Sequence, residues 1–240
     1  MTRLLEAAIN GRRTRAEHPG VPLTPEQQAR AAAASVAAGA GAIHVHVRAP
    51  DGAESLAARD VARALTTIRA ASPTIPISVS TGAWIVPAPA ARLDAVRGWT
   101  LLPDIASVNF HEHGARELAE LLRSRGVGVE AGMAGPYAAQ RLLDSDLAER
   151  CLRLMFEPAD EDADSALRTV AQLEAVLDRA GVKLPRLLHG TGGAVWRLLD
   201  EAVARGYETR IGLEDTLTLP DGALAADNAA LVAEARRRGA

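Results

Sequence analysis

Short apolar runs alternate with amphipathic stretches along the whole chain of 240 residues. Each run has the length of a buried strand, and each stretch carries apolar residues at the three- and four-residue spacing of a half-buried helix. The pattern predicts strand–helix units repeated from end to end, which is typical of a parallel sheet. The predicted strands are Leu4–Ile9, Ala42–Val47, Pro76–Thr81, Ile105–Phe110, Val127–Ala131, Leu152–Phe156, Arg186–His189 and Arg210–Leu213.

Helix start and stop signals support the same division of the chain. Thr24 stands before Pro25, as an N-cap stands before a first-turn proline. Eight units within 240 residues favour a closed (β/α)8 barrel, a TIM barrel, over an open sheet, and the uniform composition favours a single domain over residues 1–240. The predicted helices are Pro25–Ala38, Ala57–Ala71, Pro87–Val96, Ala115–Arg125, Tyr137–Asp144, Ala163–Ala180, Ala194–Arg205 and Ala223–Arg238, and glycines suited to a left-handed cap follow at Gly39, Gly126, Gly181 and Gly206.

Composition and charge narrow the classes of function. The chain is 48% hydrophobic and 24% charged, with a formal net charge of −3 and a pI near 6.1, so it has no basic surface for nucleic acid and no polybasic membrane segment. Neither a signal peptide nor an apolar stretch of membrane-spanning length is visible. The single cysteine, Cys151, lies in an apolar run and indicates a structural thiol. We therefore expect a soluble, cytoplasmic protein.

Two histidines end the second apolar run, in the segment His44-Val45-His46. Side chains alternate between the faces of a strand, so His44 and His46 point the same way and Val45 points the opposite way. Two imidazoles on one face supply half of a tetrahedral zinc site, and other divalent transition metals accept the same ligands. The alternative is a pair of hydrogen-bonded core histidines, but the position at the carboxyl end of a strand favours metal ligation.

A carboxylate after the last predicted strand can complete this site. In a closed barrel, strand eight lies beside strand one and strand two follows, so Glu214 can join His44 and His46. A set of two histidines and one glutamate leaves the fourth position open, as catalytic zinc sites do. Alternatively, Glu214 and Asp215 form an acidic pair at a helix N-terminus, and this motif alone does not decide. Arg210 is also available to hold Asp215 in place for proton transfer.

Polar residues follow almost every predicted strand. The carboxyl ends of the strands in such barrels share one face, where the chemistry takes place, so these side chains are candidates for a common site. The glycine-rich segment 190–193 before a helix suggests a phosphate site, although a short loop of this kind needs glycine anyway. His111 and His113 lie in a polar loop and are expected to face solvent or substrate instead of a metal.

These motifs together resemble the β-keto acid cleavage enzymes, a family whose founding activity is 3-keto-5-aminohexanoate cleavage. The resemblance covers nearly the whole chain, and the combination of HVHVR over 44–48 with R-x-x-x-E-D over 210–215 is specific. Further matching segments are Asn10-Gly11, the proline-rich stretch 18–25, Ser78–Gly82, Ser107–Phe110 and Gly128–Gly132.

The resemblance implies a TIM barrel with a divalent metal, usually zinc, on His44, His46 and Glu214. It implies that a β-keto acid reacts with acetyl-CoA as co-substrate and gives acetoacetate and a new acyl-CoA by retro-Claisen cleavage. It also implies a homo-oligomer, expected to be a tetramer. By the same resemblance, Asp215 matches the catalytic aspartate and Arg210 matches the arginine paired with it. Glu130 matches an acidic residue at the end of strand five. The residues that match positions lining the substrate site are Ser80, which we expect to be catalytic, Thr81, Gly82 and Asn109.

Arg12 departs from the family, which often has an acidic residue at this place. If Arg12 points inward, near the far end of the substrate, it would favour an anionic or neutral polar acyl tail. Arg12 and Glu130 would then both face that tail, and their charges would compete to select it. The alternative is that Arg12 is a surface residue in a loop. Hydrolases of the amidohydrolase type also carry HxH in a barrel, but on strand one and with histidines on strands five and six, where this chain has Glu130 and Glu157. A non-enzymatic scaffold would not need polar residues at most strand ends.

Overall fold

The computed structural model describes residues 3–240 and shows a closed barrel of parallel strands. Each strand pairs with its neighbours in sequence, and β1 pairs with β8, which closes the sheet. This arrangement confirms the predicted (β/α)8 barrel. The strands are β1 (Leu5–Ala8), β2 (Ala42–Val45), β3 (Ile77–Ser80), β4 (Ile105–Asn109), β5 (Gly128–Met133), β6 (Arg153–Phe156), β7 (Arg186–Leu188) and β8 (Glu208–Ile211).

Helices cover the outside of the barrel, one after each strand. The first begins with a capping box, in which Thr24 Oγ1 accepts from the Gln27 amide and the Gln27 side chain accepts from the Thr24 amide. Across residues 3–240, none of the helices combines the length and the apolar character needed to cross a membrane. The helices are α1 (Pro25–Ala37), α2 (Ala58–Ala71), α3 (Pro89–Arg97), α4 (Ala115–Ser124), α5 (Pro136–Asp144), α6 (Ala163–Arg179), α7 (Val195–Arg205) and α8 (Asn228–Arg237).

The last strand lies two residues earlier than its apolar pattern predicts. We expected Arg210–Leu213, whereas β8 covers Glu208–Ile211. At Gly212 a Cβ atom would lie 1.9 Å from the Ala8 carbonyl oxygen, so the chain passes against β1 at a point where no side chain fits. The residues that follow Gly212 therefore belong to the loop at the carboxyl end of the barrel.

The last helix begins later than predicted, at Asn228 instead of Ala223. Residues 218–224 form a loop that is closed by a bridge between Thr218 and Leu224. Asp227 then caps the helix by accepting a hydrogen bond from the Ala230 amide. Alanine and leucine over residues 223–226 are typical of a helix, which explains the earlier start predicted from the sequence, and the cap shows where the helix begins.

The interior of the barrel is polar, while the apolar core lies between the strands and the helices. Glu6, Glu130 and Arg153 are buried inside the barrel, where Arg153 Nε lies 3.0 Å from Glu130 Oε1 and its Nη1 donates to Glu208 Oε2 at 2.6 Å. Burial, together with the neighbouring Glu130 carboxylate, raises the pKa of Glu6 well above its ordinary value. Burial thus disfavours the charged form of Glu6, while Arg153 pairs with Glu130 and Glu208, which avoids the cost of an isolated buried ion.

Candidate active site

Three predicted metal ligands converge at the carboxyl ends of β2 and β8. His44 lies in β2, His46 follows it, and Glu214 lies in the loop after β8. One nitrogen of each imidazole and one oxygen of Glu214 lie within 4.8 Å of one another. His46 Nε2 is 3.3 Å from Glu214 Oε1, and His44 Nε2 is 3.9 Å from Glu214 Oε2. Closure of the barrel therefore brings together the ligands from its second and eighth strands.

Ser78 and Glu130 set the orientation of the His44 ring. His44 Nδ1 lies 3.1 Å from Ser78 Oγ, and that hydroxyl donates to Glu130 Oε2 at 2.5 Å. Because the only hydroxyl hydrogen of Ser78 goes to the carboxylate, Ser78 accepts a hydrogen bond from His44 Nδ1–H. Burial lowers the pKa of His44 to about 3, so the ring is neutral. His44 Nε2 therefore presents its lone pair on the side of Glu214.

Glu54 and Trp84 support His46 in a comparable way. His46 Nδ1 lies 2.5 Å from Glu54 Oε1, and the indole Nε1 of Trp84 donates to the same carboxylate at 3.1 Å. The Trp84 ring stacks on the imidazole, with 6.0 Å between the ring centroids. Burial works against a charged ring, but the Glu214 and Glu54 carboxylates outweigh it and raise the pKa of His46 to about 9.

This donor set fits a divalent transition metal. Histidines that bind metals usually hydrogen-bond through their second nitrogen to a carboxylate or another acceptor, and both histidines do so here. Among the described residues, Glu214 Oε2 is buried without a hydrogen-bond partner. The raised pKa of His46 shows that the Glu214 and Glu54 carboxylates favour a positive charge at this point, and a bound metal cation would supply that charge. Two imidazole nitrogens and one carboxylate oxygen form a ligand set that zinc accepts in catalytic sites.

Arg210 connects Glu214 to Asp215. Its Nη2 donates to Glu214 Oε1 at 3.0 Å and to Asp215 Oδ1 at 2.6 Å. Burial works against the charge of Arg210, but the Asp215 and Glu214 carboxylates raise the pKa of its guanidinium above the usual range. Asp215 is 1% exposed, and its Oδ2 has no hydrogen-bond partner within residues 3–240. One oxygen of Asp215 is held by a cation, and the other is free to accept a proton.

His189, the residue after β7, lies on the other side of Asp215. Its Nδ1 is 3.5 Å from Asp215 Oδ1, and its Nε2 is 3.7 Å from Glu157 Oε2. Both nitrogens are buried and lack a hydrogen-bond partner in the described part of the chain. Burial and the Arg210 charge lower the pKa of His189, but Asp215 and Glu157 outweigh them and the pKa is raised. The imidazole thus lies between two carboxylates.

The two predicted polar residues at the end of β3 have different surroundings. Ser80 is buried two residues after Ser78, so it shares the inner face of the strand. The Thr81 hydroxyl donates to the Ser107 carbonyl oxygen at 2.6 Å. Ser80 therefore belongs to the interior beside the site, and Thr81 joins the end of β3 to β4.

Asn109 and Gly82 shape the wall of the site. Asn109 Nδ2 donates to Glu112 Oε1 at 3.1 Å, which leaves its Oδ1 on the side of β5. At Gly82 a Cβ atom would lie 2.2 Å from the Trp84 ring. Gly82 therefore contributes space for the indole that supports His46, and not a functional group of its own.

The structure separates Arg12 from Glu130. Arg12 is exposed, its guanidinium lies 5.6 Å from the centroid of the Trp84 ring, and it lines a cavity of about 440 Å³ that also reaches His46 and Glu214. Glu130 is fully buried inside the barrel and bonded to Ser78. The expectation that Glu130 contacts the acyl tail beside Arg12 is therefore corrected, because its position on β5 places it at His44 instead of the opening.

A family comparison places this geometry in context. The sequence matches the family model described as beta-keto acid cleavage enzyme over residues 3–239. The chain belongs to the β-keto acid cleavage enzyme family. The match spans nearly all of the described residues, including both groups of candidate site residues, on β2 and after β8. The family resemblance predicted from the sequence motifs is thus confirmed.

Several solved barrels resemble this member of the family in fold. The apo structure of ObcA aligns with a TM-score of 0.66 and 20% identity over 91% of this chain, which spans 61% of the ObcA chain. The 3-dehydroquinate dehydratase from Geobacillus kaustophilus HTA426 aligns with a TM-score of 0.61 and 10% identity over 99% of this chain and 92% of its own. Thiamine phosphate pyrophosphorylase from Pyrococcus furiosus gives a TM-score of 0.58 and 14% identity over 98% and 94%. At these identities the likeness concerns the barrel fold.

Sequence reasoning did not assign a role to four of the polar residues at this site. Ser78 precedes Ser80 by two residues, so strand alternation already places both on one face. Glu157 and His189 directly follow strands and belong to the predicted polar strand ends, but their position alone assigns no partner to either. Glu54 lies in an irregular loop after β2, where no periodicity identifies it as a partner of His46.

Proposed function

We propose that this protein converts a β-keto acid and acetyl-CoA into acetoacetate and a new acyl-CoA, with the help of a divalent metal, zinc being the first candidate. The family supports cleavage of a β-keto acid. The observation that carries the finer proposal is the contact of Arg210 with both Glu214 and Asp215. It joins a candidate metal ligand and a candidate base in one unit after β8.

His44, His46 and Glu214 are the residues that would hold the metal. When bound, a divalent metal would supply Lewis-acid polarisation to the keto and carboxylate oxygens of the substrate. The neutral His44 ring, the Glu54 contact of His46 and the free oxygen of Glu214 support this assignment. The cavity of about 440 Å³ gives a small substrate access to these residues.

Asp215 would move the proton in this reaction. Its Oδ2 accepts a proton from the central carbon of the substrate, which lies between the keto and carboxylate groups. This carbon then forms a bond to the acetyl carbonyl carbon of acetyl-CoA, and the coenzyme A thiolate leaves. The thiolate then attacks the original keto carbon, and the bond from that carbon to the central carbon breaks. The central carbon takes the proton back from Asp215 as acetoacetate forms, so protons and electron pairs balance.

Arg12 would select the acyl tail. Its guanidinium lies at the mouth of the cavity against Trp84, and it makes no ion pair with the carboxylates of residues 3–240. A cation in this position favours a tail that carries a carboxylate or a neutral polar group, and disfavours an aminated tail by repulsion. Glu130 is enclosed in the barrel and does not share this role. Arg13 and Glu17 also line the cavity, but they pair with each other, which leaves Arg12 as the candidate for this selection.

A panel assay tests the proposal. Zinc-loaded protein is incubated with β-keto acids that carry anionic, neutral and aminated tails, with and without acetyl-CoA, and acetoacetate and acyl-CoA are measured by mass spectrometry. We expect both products in equal amounts, only with acetyl-CoA, and fastest with anionic or neutral tails. Arg12→Glu should reverse the preference for the tail, whereas Arg15→Glu, in the same loop but outside the cavity, should not. Cleavage without acetyl-CoA would indicate a hydrolase, and absence of product from the whole panel would contradict the proposed function.

A further inference from the structure

One oxygen of the Asp215 carboxylate faces both Arg210 and His189. Arg210 Nη2 lies 2.6 Å and His189 Nδ1 lies 3.5 Å from Oδ1, while Oδ2 is free. Arg210 Nη2 donates to Glu214 as well as to Asp215. Its contact with Oδ1 defines one direction only, and does not by itself define the rotation of the Asp215 carboxylate plane. A second donor that approaches Oδ1 from another strand restricts this rotation, because two directions define the plane.

The His189 ring is itself oriented from its far side. Its Nε2 faces Glu157 Oε2 at 3.7 Å, and the ring is enclosed. At Gly132 a Cβ atom would lie 2.5 Å from Glu157 Oε1, so a glycine on β5 gives the Glu157 side chain the room to approach the histidine. Glu157, His189, Asp215 and Arg210 therefore form a row in which acidic and basic side chains alternate across the ends of β6, β7 and β8.

We propose that His189 is a positioning residue for Asp215: its Nδ1–H shares Oδ1 with Arg210 and thereby directs Oδ2 to the substrate proton. This role rests on the proposed function, in which Asp215 moves that proton. His189 itself does not touch the reacting atoms in this account. Orientation of a base by a second hydrogen-bonded residue is a common feature of proton-transfer sites, and its loss lowers the rate of the proton step.

Exchange of substrate hydrogen with deuterated water tests this role separately from the coenzyme A chemistry. Acetoacetate, itself a β-keto acid, serves as the probe, and NMR follows deuterium incorporation at its C2 carbon above the uncatalysed background. Two variants differ in the donor that they keep: the amide nitrogen of His189→Asn can occupy the place of Nδ1, whereas that of His189→Gln corresponds to Nε2. His111→Gln, on an exposed loop, is the matched control.

We expect His189→Gln to lower the maximal exchange rate on the order of 10- to 100-fold, with little change in the KM for acetoacetate or in zinc content. His189→Asn should keep most of the rate, and His111→Gln should match the parent. A parental rate for His189→Gln, or equal losses in both His189 variants, would overturn the proposal. Should His189→Gln not fold, a loss of about tenfold or more in His189→Asn would do so. A parent that exchanges deuterium normally but makes no acetoacetate from the substrate panel would contradict the proposed function and not this inference.

Discussion

Glu214 and Asp215 are adjacent in the chain, yet their carboxylates have different partners. Glu214 faces the Nε2 atoms of His44 and His46, while Asp215 Oδ1 faces Arg210 on the other side. Arg210 donates to both carboxylates and so fixes their positions relative to each other. At the scale of the residue, a dipeptide thus supplies a candidate ligand and a candidate base that remain chemically distinct.

Replacement of Asp215 by asparagine should stop proton transfer without emptying the metal site. An amide oxygen cannot take up the substrate proton, and loss of a general base costs on the order of 100- to 10,000-fold in rate. We expect kcat to fall within this range in steady-state acetoacetate assays while the zinc content stays parental. Asp221→Asn, an exposed change in the loop before α8, is the control. Parental turnover in Asp215→Asn would exclude Asp215 as the base.

Replacement of Glu54 by glutamine should weaken the affinity for zinc. The change keeps the shape of the side chain but removes the charge that accepts a hydrogen bond from His46 Nδ1. Loss of such a partner typically costs 10- to 100-fold in metal affinity, so we expect the Kd measured by calorimetric titration to rise by about this factor. Glu17→Gln is the control, because Glu17 lines the cavity that reaches His46 and Glu214 but pairs with Arg13. The Kd of this variant for zinc should stay unchanged. Equal affinities in all three proteins would show that Glu54 does not support the site.

The positions of the site residues could be predicted where the residues lie in a regular strand pattern. The two-residue spacing of His44 and His46 predicted a shared face, and the structure shows both rings turned to Glu214. The place of Glu130 could not be predicted in the same way, because a strand-end position in the sequence does not tell whether a side chain lies in the layer that faces the opening or in the layer below it. Its contact with Ser78 depends on the register between β3, β4 and β5.

At the scale of the element, the loops differ most from the sequence expectation. Apolar periodicity extends past the end of β8, because Leu213 is buried although it lies beyond the strand. The α8 pattern likewise extends back into a loop, because alanine favours a helix in any solvent-exposed or half-buried stretch. Both displacements fall where tertiary contacts, such as the close approach of Gly212 to Ala8, decide where an element ends.

A side chain at Gly11, in the loop after β1, should displace Glu214. Its φ is +54°, and a Cβ atom would lie 2.4 Å from Glu214 Cγ, so Gly11→Ala must displace the candidate ligand. Gly222→Ala is the matched control, because its φ of +85° carries a similar backbone penalty and no atom lies within 4 Å of its added Cβ. We expect both to lose about 1 to 2 kcal/mol of unfolding free energy, measured with urea, from the left-handed backbone.

Only Gly11→Ala should also lose affinity for zinc, measured by the same titration in the folded variants. A parental Kd in Gly11→Ala would mean that Glu214 can move away from its position beside the histidines without effect on metal binding. The comparison therefore separates backbone strain, common to both variants, from displacement of Glu214.

At the scale of the whole molecule, closure of the barrel creates the site. The pairing of β1 with β8 brings Glu214 beside the end of β2, and residues from both ends of the chain then face one cavity. Repetition of strand and helix predicted this closure. The polar interior was not predicted, because Glu6 and Arg153 occur within short runs whose apolar neighbours pack outward against the helices.

The metal content of the purified protein tests the central claim, that His44, His46 and Glu214 form one metal centre. Zinc per chain is measured by elemental analysis in the parent, in His46→Ala and in His111→Ala, an exposed histidine that contacts none of the three. We expect about one ion per chain in the parent and in His111→Ala, and background content in His46→Ala, since two remaining ligands hold zinc poorly. Equal metal content in the parent and His46→Ala would contradict it.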